Sequence, residues 1–311
     1  MKNPRVIFAG TPEFALASLS ALVEAGTVPV AVLTQPDRPA GRGKRMTESP
    51  VKRFATEHGI PVMQPTTLRE ERIAAELRAL EPDVMIVAAY GLILPQNVLD
   101  IPARGCLNVH ASLLPRWRGA APIQASILAG DETTGISLMS MTAGLDCGPV
   151  FASASLAIEA AETAGELHDR LAKMGGEMLA AKLADILEKK ITAVPQDESK
   201  ASYAGKIHTQ DARLDWSQNA DQLARCVRAY NPVPGAFFFV DEKLRVKCWC
   251  AVGIADIDAR PGTVVASGAD GIDVACGSGG LRLLELQLPG KRRVEARELA
   301  NQLDLVGREL S

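Results

Sequence analysis

The constraint that narrows the fold most is an alternation. From Val6 to Leu187, short apolar runs trade places with amphipathic stretches of helical period. Such a chain builds a parallel sheet with helices on its faces. The strand runs are Val6 to Ala9, Val28 to Leu33, Val84 to Ala88, Leu107 to His110 and Ile136 to Met141. Helix starts are marked between them. Thr11-Pro12-Glu13 supplies a cap, a proline at the first helical position and an acid in the first turn, and Gly26 ends that helix. Ser49-Pro50 opens a second, Leu68 to Leu80 forms a third before Pro82, and Ala121 to Ala129 a fourth that stops at Gly130. A strand at Val150 to Ile158 and a long helical pattern from Thr163 to Leu187 complete this half.

Periodicity is lost over residues 190–207, a polar stretch through Pro195-Gln196-Asp197-Glu198-Ser199-Lys200 that reads as a linker. The expected domains are therefore 1–189 and 208–311, and 311 residues suffice for two cores. Beyond a helix at Ala220 to Ala229, the second half holds runs at Ala236 to Val240, Leu244 to Cys250, Gly262 to Val265, Ile272 to Ala275 and Leu281 to Leu286. Short strands at this spacing predict a small β-barrel or sandwich. Cys276-Gly277-Ser278-Gly279-Gly280 reads as a hairpin turn between two of them.

Several function classes drop out. With 34 Lys plus Arg against 37 Asp plus Glu, net charge is −3, so any polyanion site must be local. Six cysteines form no C-x-x-C pair and read as reduced thiols. No apolar stretch approaches the ~18 residues of a membrane span, and the apolar run after Met1 is too short for a signal sequence, so a cytoplasmic protein is expected. His58, His110, His168 and His208 lie at no ligand spacing, and no metal is expected. Gly10-Thr11-Pro12 follows the first strand where a dinucleotide fold carries G-x-G-x-x-G, but the later glycines are missing and Pro12 removes an amide donor.

One polar constellation remains. In Cys106-Leu107-Asn108-Val109-His110, period-two geometry places Asn108 and His110 on one strand face. The glycine-bracketed loop Gly144-Leu145-Asp146-Cys147-Gly148 follows the next strand and can bring the Asp146 carboxylate beside them. An Asn/His/Asp trio lacks a nucleophile of its own. It suits acyl transfer to an amine, where the substrate brings the nucleophile and the protein supplies an imidazole and an oxyanion donor. Without a neighbouring base in sequence, Cys106 and Cys147 read as small buried residues.

These residues carry a resemblance. Asn108-x-His110-x-Ser112-Leu113-Leu114-Pro115, then Arg116-Trp117-Arg118-Gly119-Ala120-Ala121-Pro122-Ile123 and the Asp146 loop, resemble the folate-dependent formyltransferases. Phe8-Ala9-Gly10-Thr11-Pro12-Glu13-Phe14-Ala15, Thr34-Gln35-Pro36-Asp37-Arg38-Pro39-Ala40-Gly41-Arg42-Gly43 and Ala89-Tyr90-Gly91-Leu92-Ile93-Leu94-Pro95 extend the likeness toward members acting on methionyl-tRNA. Asp215-Trp216 and Arg225-x-x-Arg228-Ala229-x-Asn231-Pro232 carry it through the second half. The resemblance implies an α/β fold, with a Rossmann-like N-terminal catalytic domain followed by a small OB-like C-terminal β-barrel that binds tRNA. It implies formyl transfer from 10-formyltetrahydrofolate to the α-amino group of methionine on initiator methionyl-tRNA, for translation initiation. Asn108, His110 and Asp146 match the catalytic trio, Ser112, Leu113, Leu114 and Pro115 the folate segment, and Ala89, Tyr90 and Gly91 a turn near the pterin.

Local charge fits a tRNA partner. Residues 34–53 carry six basic side chains against two acidic, a surplus of +4 in an acidic protein. Its prolines and glycines make a βα connection far longer than the usual two to six residues. The family uses the matching loop on the tRNA acceptor stem. Arg42 is the first choice for a contact, with Arg38, Lys44 and Arg45 behind it. From Lys206 onward charge is balanced, so that domain serves as an electrostatic platform only if one face is polarised; Lys291-Arg292-Arg293 is the candidate. Trp216 and Trp249 read as core residues, with base stacking as the alternative. Nothing demands a dimer, so a monomer is expected. Two other readings stay open: formyl transfer to a ribonucleotide or amino-sugar-nucleotide amine, since the trio does not read the acceptor, and an RNA-binding module without catalysis.

Overall fold

A computed structural model describes residues 4–311 apart from 41, 42, 44, 256 and 301–303. Two compact units emerge: Met1–Pro122, Thr133–Ala157 and His168–Ala204 in one, and Ile123–Glu132, Ile158–Leu167 and Gly205–Ser311 in the other. The stretch expected as a linker thus belongs to the first unit as far as Ala204. Its polarity has a different cause, because several of its side chains are hydrogen-bonded to the segment around Arg118 and Asp146.

In chain order the elements are β1 (Val6–Gly10), α1 (Glu13–Glu24), β2 (Ala31–Leu33), β3 (Arg38–Ala40), β4 (Arg45–Thr47), α2 (Pro50–Glu57), β5 (Val62–Met63), α3 (Glu71–Ala79), β6 (Val84–Ala88), α4 (Gln96–Leu99), β7 (Cys106–His110), β8 (Arg118–Gly119), α5 (Pro122–Ala129), β9 (Thr133–Ser140), β10 (Val150–Ala157), α6 (Ala164–Leu187) and β11 (Tyr203–Ala204). Seven strands form one sheet in the order β10-β9-β7-β6-β1-β2-β5. β5, β2, β1, β6 and β7 are parallel, while β9 and β10 reverse direction. Every residue of β1, β6 and β7 is buried, which explains the continuous apolar runs of β1 and β6 and makes the polar residues of β7 exceptional. The chain leaves β1 toward β2 and β5, then returns beside β1 as β6. That reversal opens the crevice in which sheets of this kind bind ligands, beyond the C-terminal ends of the strands.

Three expectations change. Ser49 caps α2, accepting from the Lys52 amide, but the α1 cap position is Pro12, and the Thr11 hydroxyl instead donates to the Tyr90 carbonyl at 3.0 Å. The second strand is shorter than its apolar run, only Ala31–Leu33. Within the basic stretch expected as a loop, β3 and β4 pair as an antiparallel hairpin.

Two glycines inside α6 explain how that helix seats. A Cβ on Gly176 would lie 2.7 Å from the Ala17 carbonyl oxygen of α1, and one on Gly175 2.9 Å from Val109 Cγ1 of β7. The pair costs about 1 kcal/mol per glycine in helix propensity. It brings a helix backbone against the strand that carries Asn108 and His110.

The second unit adds α7 (Ala220–Ala229), β12 (Ala236–Val240), β13 (Leu244–Ile254), β14 (Val264–Gly268), β15 (Gly271–Ala275), β16 (Gly280–Gln287), β17 (Arg293–Glu295) and α8 (Ala296–Ala300). Its antiparallel sheet runs β12-β13-β16-β15-β14, with β17 on β16. Leu310 bridges to Val240 and Glu309 to Thr263, so the C-terminal residues join the two outer strands toward closure of a barrel. Asn219 and Gln222 form a reciprocal capping box at the start of α7. The Cys276–Gly280 segment is the expected turn, and its Ser278 carbonyl accepts the Ala220 amide.

Gly176→Ala is expected to lower unfolding free energy by about 1 to 3 kcal/mol in urea titrations, because the nearest atom is a helix carbonyl that cannot step aside. A variant more stable than wild type, as helix propensity alone predicts, would contradict this packing.

Candidate active site

Burial makes the polar residues of β7 unusual. Asn108 and His110 are 9% and 6% exposed on a strand whose every residue is buried. Their shared face is the one that period-two geometry predicted. The His110 Nε2 lies 3.1 Å from the Trp117 carbonyl. A carbonyl only accepts, so this nitrogen carries the hydrogen, and in the neutral ring the free lone pair sits on Nδ1. Nδ1 faces Asp146 Oδ2 at 3.7 Å. Among the described residues the Asn108 carboxamide has no hydrogen-bond partner, so its donors are available to a ligand.

Asp146 adopts φ +47°, a left-handed conformation that costs a non-glycine residue about 1 kcal/mol or more. It is held there from two sides. The Gly119 amide donates to Oδ2 at 2.8 Å, and Gln196 Nε2 donates to the Asp146 carbonyl at 2.8 Å and to the Gly148 carbonyl at 2.7 Å. Behind Gln196 lies Arg118, 1% exposed, whose Nε and Nη2 donate to Gln196 Oε1 and whose Nη1 and Nη2 grip Glu198 bidentately at 2.8 and 2.7 Å. The Glu198 carboxylate pushes the guanidinium further up, and Arg118 in turn holds Glu198 below the usual carboxylate range. Trp117 is also left-handed, at φ +60°, with its amide bonded to Ser202 Oγ at 3.0 Å.

The Ser112–Pro115 segment is fastened from beneath. The Ser112 hydroxyl donates to the Arg116 carbonyl at 2.6 Å, closing its own turn and leaving Leu113 and Leu114 half-buried. Fully buried Ser137, opposite His110 on β9, donates to the Ser112 carbonyl at 2.8 Å and accepts the Leu114 amide at 3.1 Å. At the sheet's switch point, Ala89 takes φ +43° and the Tyr90 ring packs into the core with Ile7, Leu33 and Leu68. The part of Tyr90 facing the crevice is its carbonyl, which accepts from Thr11 Oγ1 and from Gln35 Nε2 at 3.3 Å. Arg38 Nη2 donates to Gln35 Oε1 at 2.6 Å, so the base of the basic hairpin and the Tyr90 turn share one carboxamide.

Arg38 and Arg45 are exposed on that hairpin, whereas Arg42 and Lys44 lie outside the described residues. Lys52 is engaged by Asp37 at 2.6 Å and Glu48 at 3.0 Å.

In the second unit, one row across four strands holds Phe237, Lys247, Gln287 and Arg293. Arg293 covers the Trp249 ring at 3.7 Å with Lys247 at 4.9 Å, and Arg245 covers Phe237 at 3.7 Å. Burial, then Arg245 and Arg293, hold the Lys247 ammonium below its ordinary value. The balanced overall charge therefore conceals a polarised face. Trp216 belongs to the core, and Trp249 lies beneath cations, 6% exposed. Arg293 Nη1 also lies 3.9 Å from Glu285, and Arg292 is paired with Glu298 at 2.7 Å.

Sequence reasoning assigned no role to Gln196, Ser137, Ser202, Gln35 or Arg118. The only signal for Gln196 was a polar, aperiodic stretch, which reads equally well as a linker. Among the described residues no group of three or more His, Cys, Asp or Glu side chains gathers as a metal site would require. Nor is any described helix long and apolar enough to cross a membrane.

Fold and site define a group-transfer enzyme whose acceptor brings the nucleophile. Residues 4–183 match the formyl transferase family and residues 206–304 the formyl transferase C-terminal domain. The chain belongs to this family and is a one-carbon transferase. A protein of Methylococcus capsulatus named methionyl-tRNA formyltransferase is 50% identical over 307 residues, covering 98% of this chain and 99% of its own. One of the same name from Nitrosococcus oceani is 54% identical over 300 residues, covering 96% and 93%. Among solved structures, WlaRD, a sugar 3N-formyl transferase, matches with TM-score 0.65 at 15% identity, over 94% of this chain and 100% of its own. HypX from Aquifex aeolicus in complex with tetrahydrofolic acid matches with TM-score 0.63 at 17% identity, over 98% of this chain and 48% of its own. These two share the fold.

Burial pushes the Cys106 thiol up to about 12, which removes it as a nucleophile. Iodoacetamide at pH 8.5 should leave Cys106 unlabelled until denaturant is added; labelling of the native protein there would return it to the list of reactive groups.

Proposed function

We propose that this enzyme transfers a formyl group from 10-formyltetrahydrofolate to the α-amino group of methionine on initiator methionyl-tRNA. The observation that carries the chemistry is the unengaged Asn108 carboxamide beside an imidazole whose free lone pair faces a carboxylate. The acceptor rests on relatives about 50% identical over nearly the whole chain, all bearing that activity in their names. Sugar N-formyltransferases among the solved structures share the fold at only 15–20% identity.

In this reading the amine attacks the formyl carbon on folate N10, and a tetrahedral oxyanion forms. Asn108 donates to that oxygen. His110 takes the amine proton at Nδ1, becoming an imidazolium held between the Trp117 carbonyl and the Asp146 carboxylate. Collapse breaks the bond to N10, which recovers the proton from His110 and leaves as tetrahydrofolate. Leu113, Leu114 and Pro115 and the backbone of Ala89, Tyr90 and Gly91 line the folate site, with Ser112 shaping the first segment. No metal takes part.

The first unit performs this chemistry, and the second carries tRNA backbone on its Arg245, Lys247 and Arg293 face. Crowded cations sharing aromatic supports gain from a phosphate that relieves their repulsion. Arg38, Arg42, Lys44 and Arg45 of the hairpin region contact the acceptor stem. The protein acts as a cytoplasmic monomer.

Asn108→Ala and Asp146→Asn should each lower turnover about 100- to 1000-fold, with folate affinity little changed in equilibrium titrations. Near-normal turnover in either would sink the assignment. Lys247→Ala and Arg293→Ala should each reduce the slope of log affinity for tRNA against log salt by about 1; unchanged slopes would remove this face from the tRNA site.

A further inference from the structure

Asp146 reaches His110 from a loop exposed from Thr142 to Leu145, and an exposed loop does not by itself hold a carboxylate in place. We propose that Gln196 and Arg118 are positioning residues for the formyl-transfer reaction, forming a clamp that sets Asp146 against His110. This rests on the reading of Asp146 given above, and it assigns a role to two residues outside the trio.

The geometry is that of a fully used carboxamide. Gln196 Oε1 accepts two N–H groups of Arg118, at 3.0 and 2.7 Å, which fixes the orientation of the amide. The opposite end, Nε2, is thereby aimed at the Asp146 and Gly148 carbonyls, at 2.8 and 2.7 Å. Two carbonyls two residues apart are drawn to one donor, and the chain between them bends into the left-handed turn at Asp146.

Arg118 acts a second time through the chain. Its own amide donates to the Ser202 carbonyl, and the next residue is Gly119, whose amide holds Asp146 Oδ2. Gly119 sits at φ +118°, and a Cβ there would lie 2.5 Å from the Ala204 carbonyl oxygen. Backbone and side chain of Asp146 are thus anchored to one rigid segment: Gln196 holds the main chain, and the β8–β11 pair holds the carboxylate. The guanidinium is the part that cannot be left out. Buried to 1% exposure, it must keep its acceptors, and in keeping them it orients Gln196.

Gln196→Glu separates this role from that of a simple partner for Arg118. A carboxylate still accepts from the guanidinium, so the fold is retained, but the donor to the two carbonyls is lost. Turnover should fall about 100-fold, with KM for folate and for tRNA within about threefold of wild type. In the Asp146→Asn background the same change should cost less than about threefold, since the group being positioned is already gone. Gln196→Ala is the companion variant, and thermal melts establish that each is folded. Wild-type turnover in Gln196→Glu, or an equal fold-loss in both backgrounds, would overturn the proposal.

One readout is independent of the substrate. Hydrogen exchange at the Gly119 amide should quicken at least about tenfold in Gln196→Glu, as its acceptor swings free. An unchanged rate would overturn the clamp. A wild-type protein that fails to formylate methionyl-tRNA would overturn the acceptor assignment instead, with the clamp decided at this amide.

Discussion

Two polar side chains in a fully buried strand are the constraint around which the catalytic unit is arranged. Asn108 and His110 sit between β6, which is wholly apolar, and β9, whose buried Ser137 stands opposite His110. Such groups are costly unless their hydrogen bonds are supplied. The protein supplies them selectively. Trp117 satisfies one nitrogen of the imidazole, Asp146 faces the other, and among the described residues the Asn108 carboxamide makes no hydrogen bond. The reversal at β9 brings Ser137 beneath the following turn, and the glycines of α6 bring a helix backbone against Val109 from behind. In the proposed reaction Asn108 is an oxyanion donor fixed in advance, which costs no reorganisation when charge develops.

Much of this was legible in the sequence, and the reasons differ by element. Strands β1 and β6 could be read because both faces are buried, so their apolar runs are unbroken, and β7 because its polar residues alternate with apolar ones. The shared face of Asn108 and His110 followed from strand geometry alone. Thr11 was misread because a threonine before Pro12-Glu13 looks the same whether it caps a helix or bonds a distant carbonyl. The β3–β4 hairpin was missed for a related reason: its strands are three residues each, Arg-Pro-Ala and Arg-Met-Thr, so they carry no alternation. Gln196 was invisible because its partners lie 48 to 78 residues away along the chain. No local pattern encodes a contact of that range.

Charge illustrates the same limit. A protein of net charge −3 and a second half of balanced composition gives no hint of a cationic face. Strand register creates one, by setting Lys247 beside Gln287 and Gln287 beside Arg293 so that side chains distant in sequence share a surface. The aromatic rings beneath these cations are buried by them, which turns Trp249 and Phe237 into supports for charge.

In the proposed reaction the formyl oxygen is received by Asn108 on the face it shares with His110. A crystal structure with a stable 10-formyl folate analogue tests it directly. The formyl oxygen should lie about 2.7 to 3.1 Å from the Asn108 carboxamide nitrogen, with the formyl carbon open to an amine on the Nδ1 side of His110. A formyl group bound away from Asn108, or one turned so that His110 Nδ1 lies behind the folate, would contradict it.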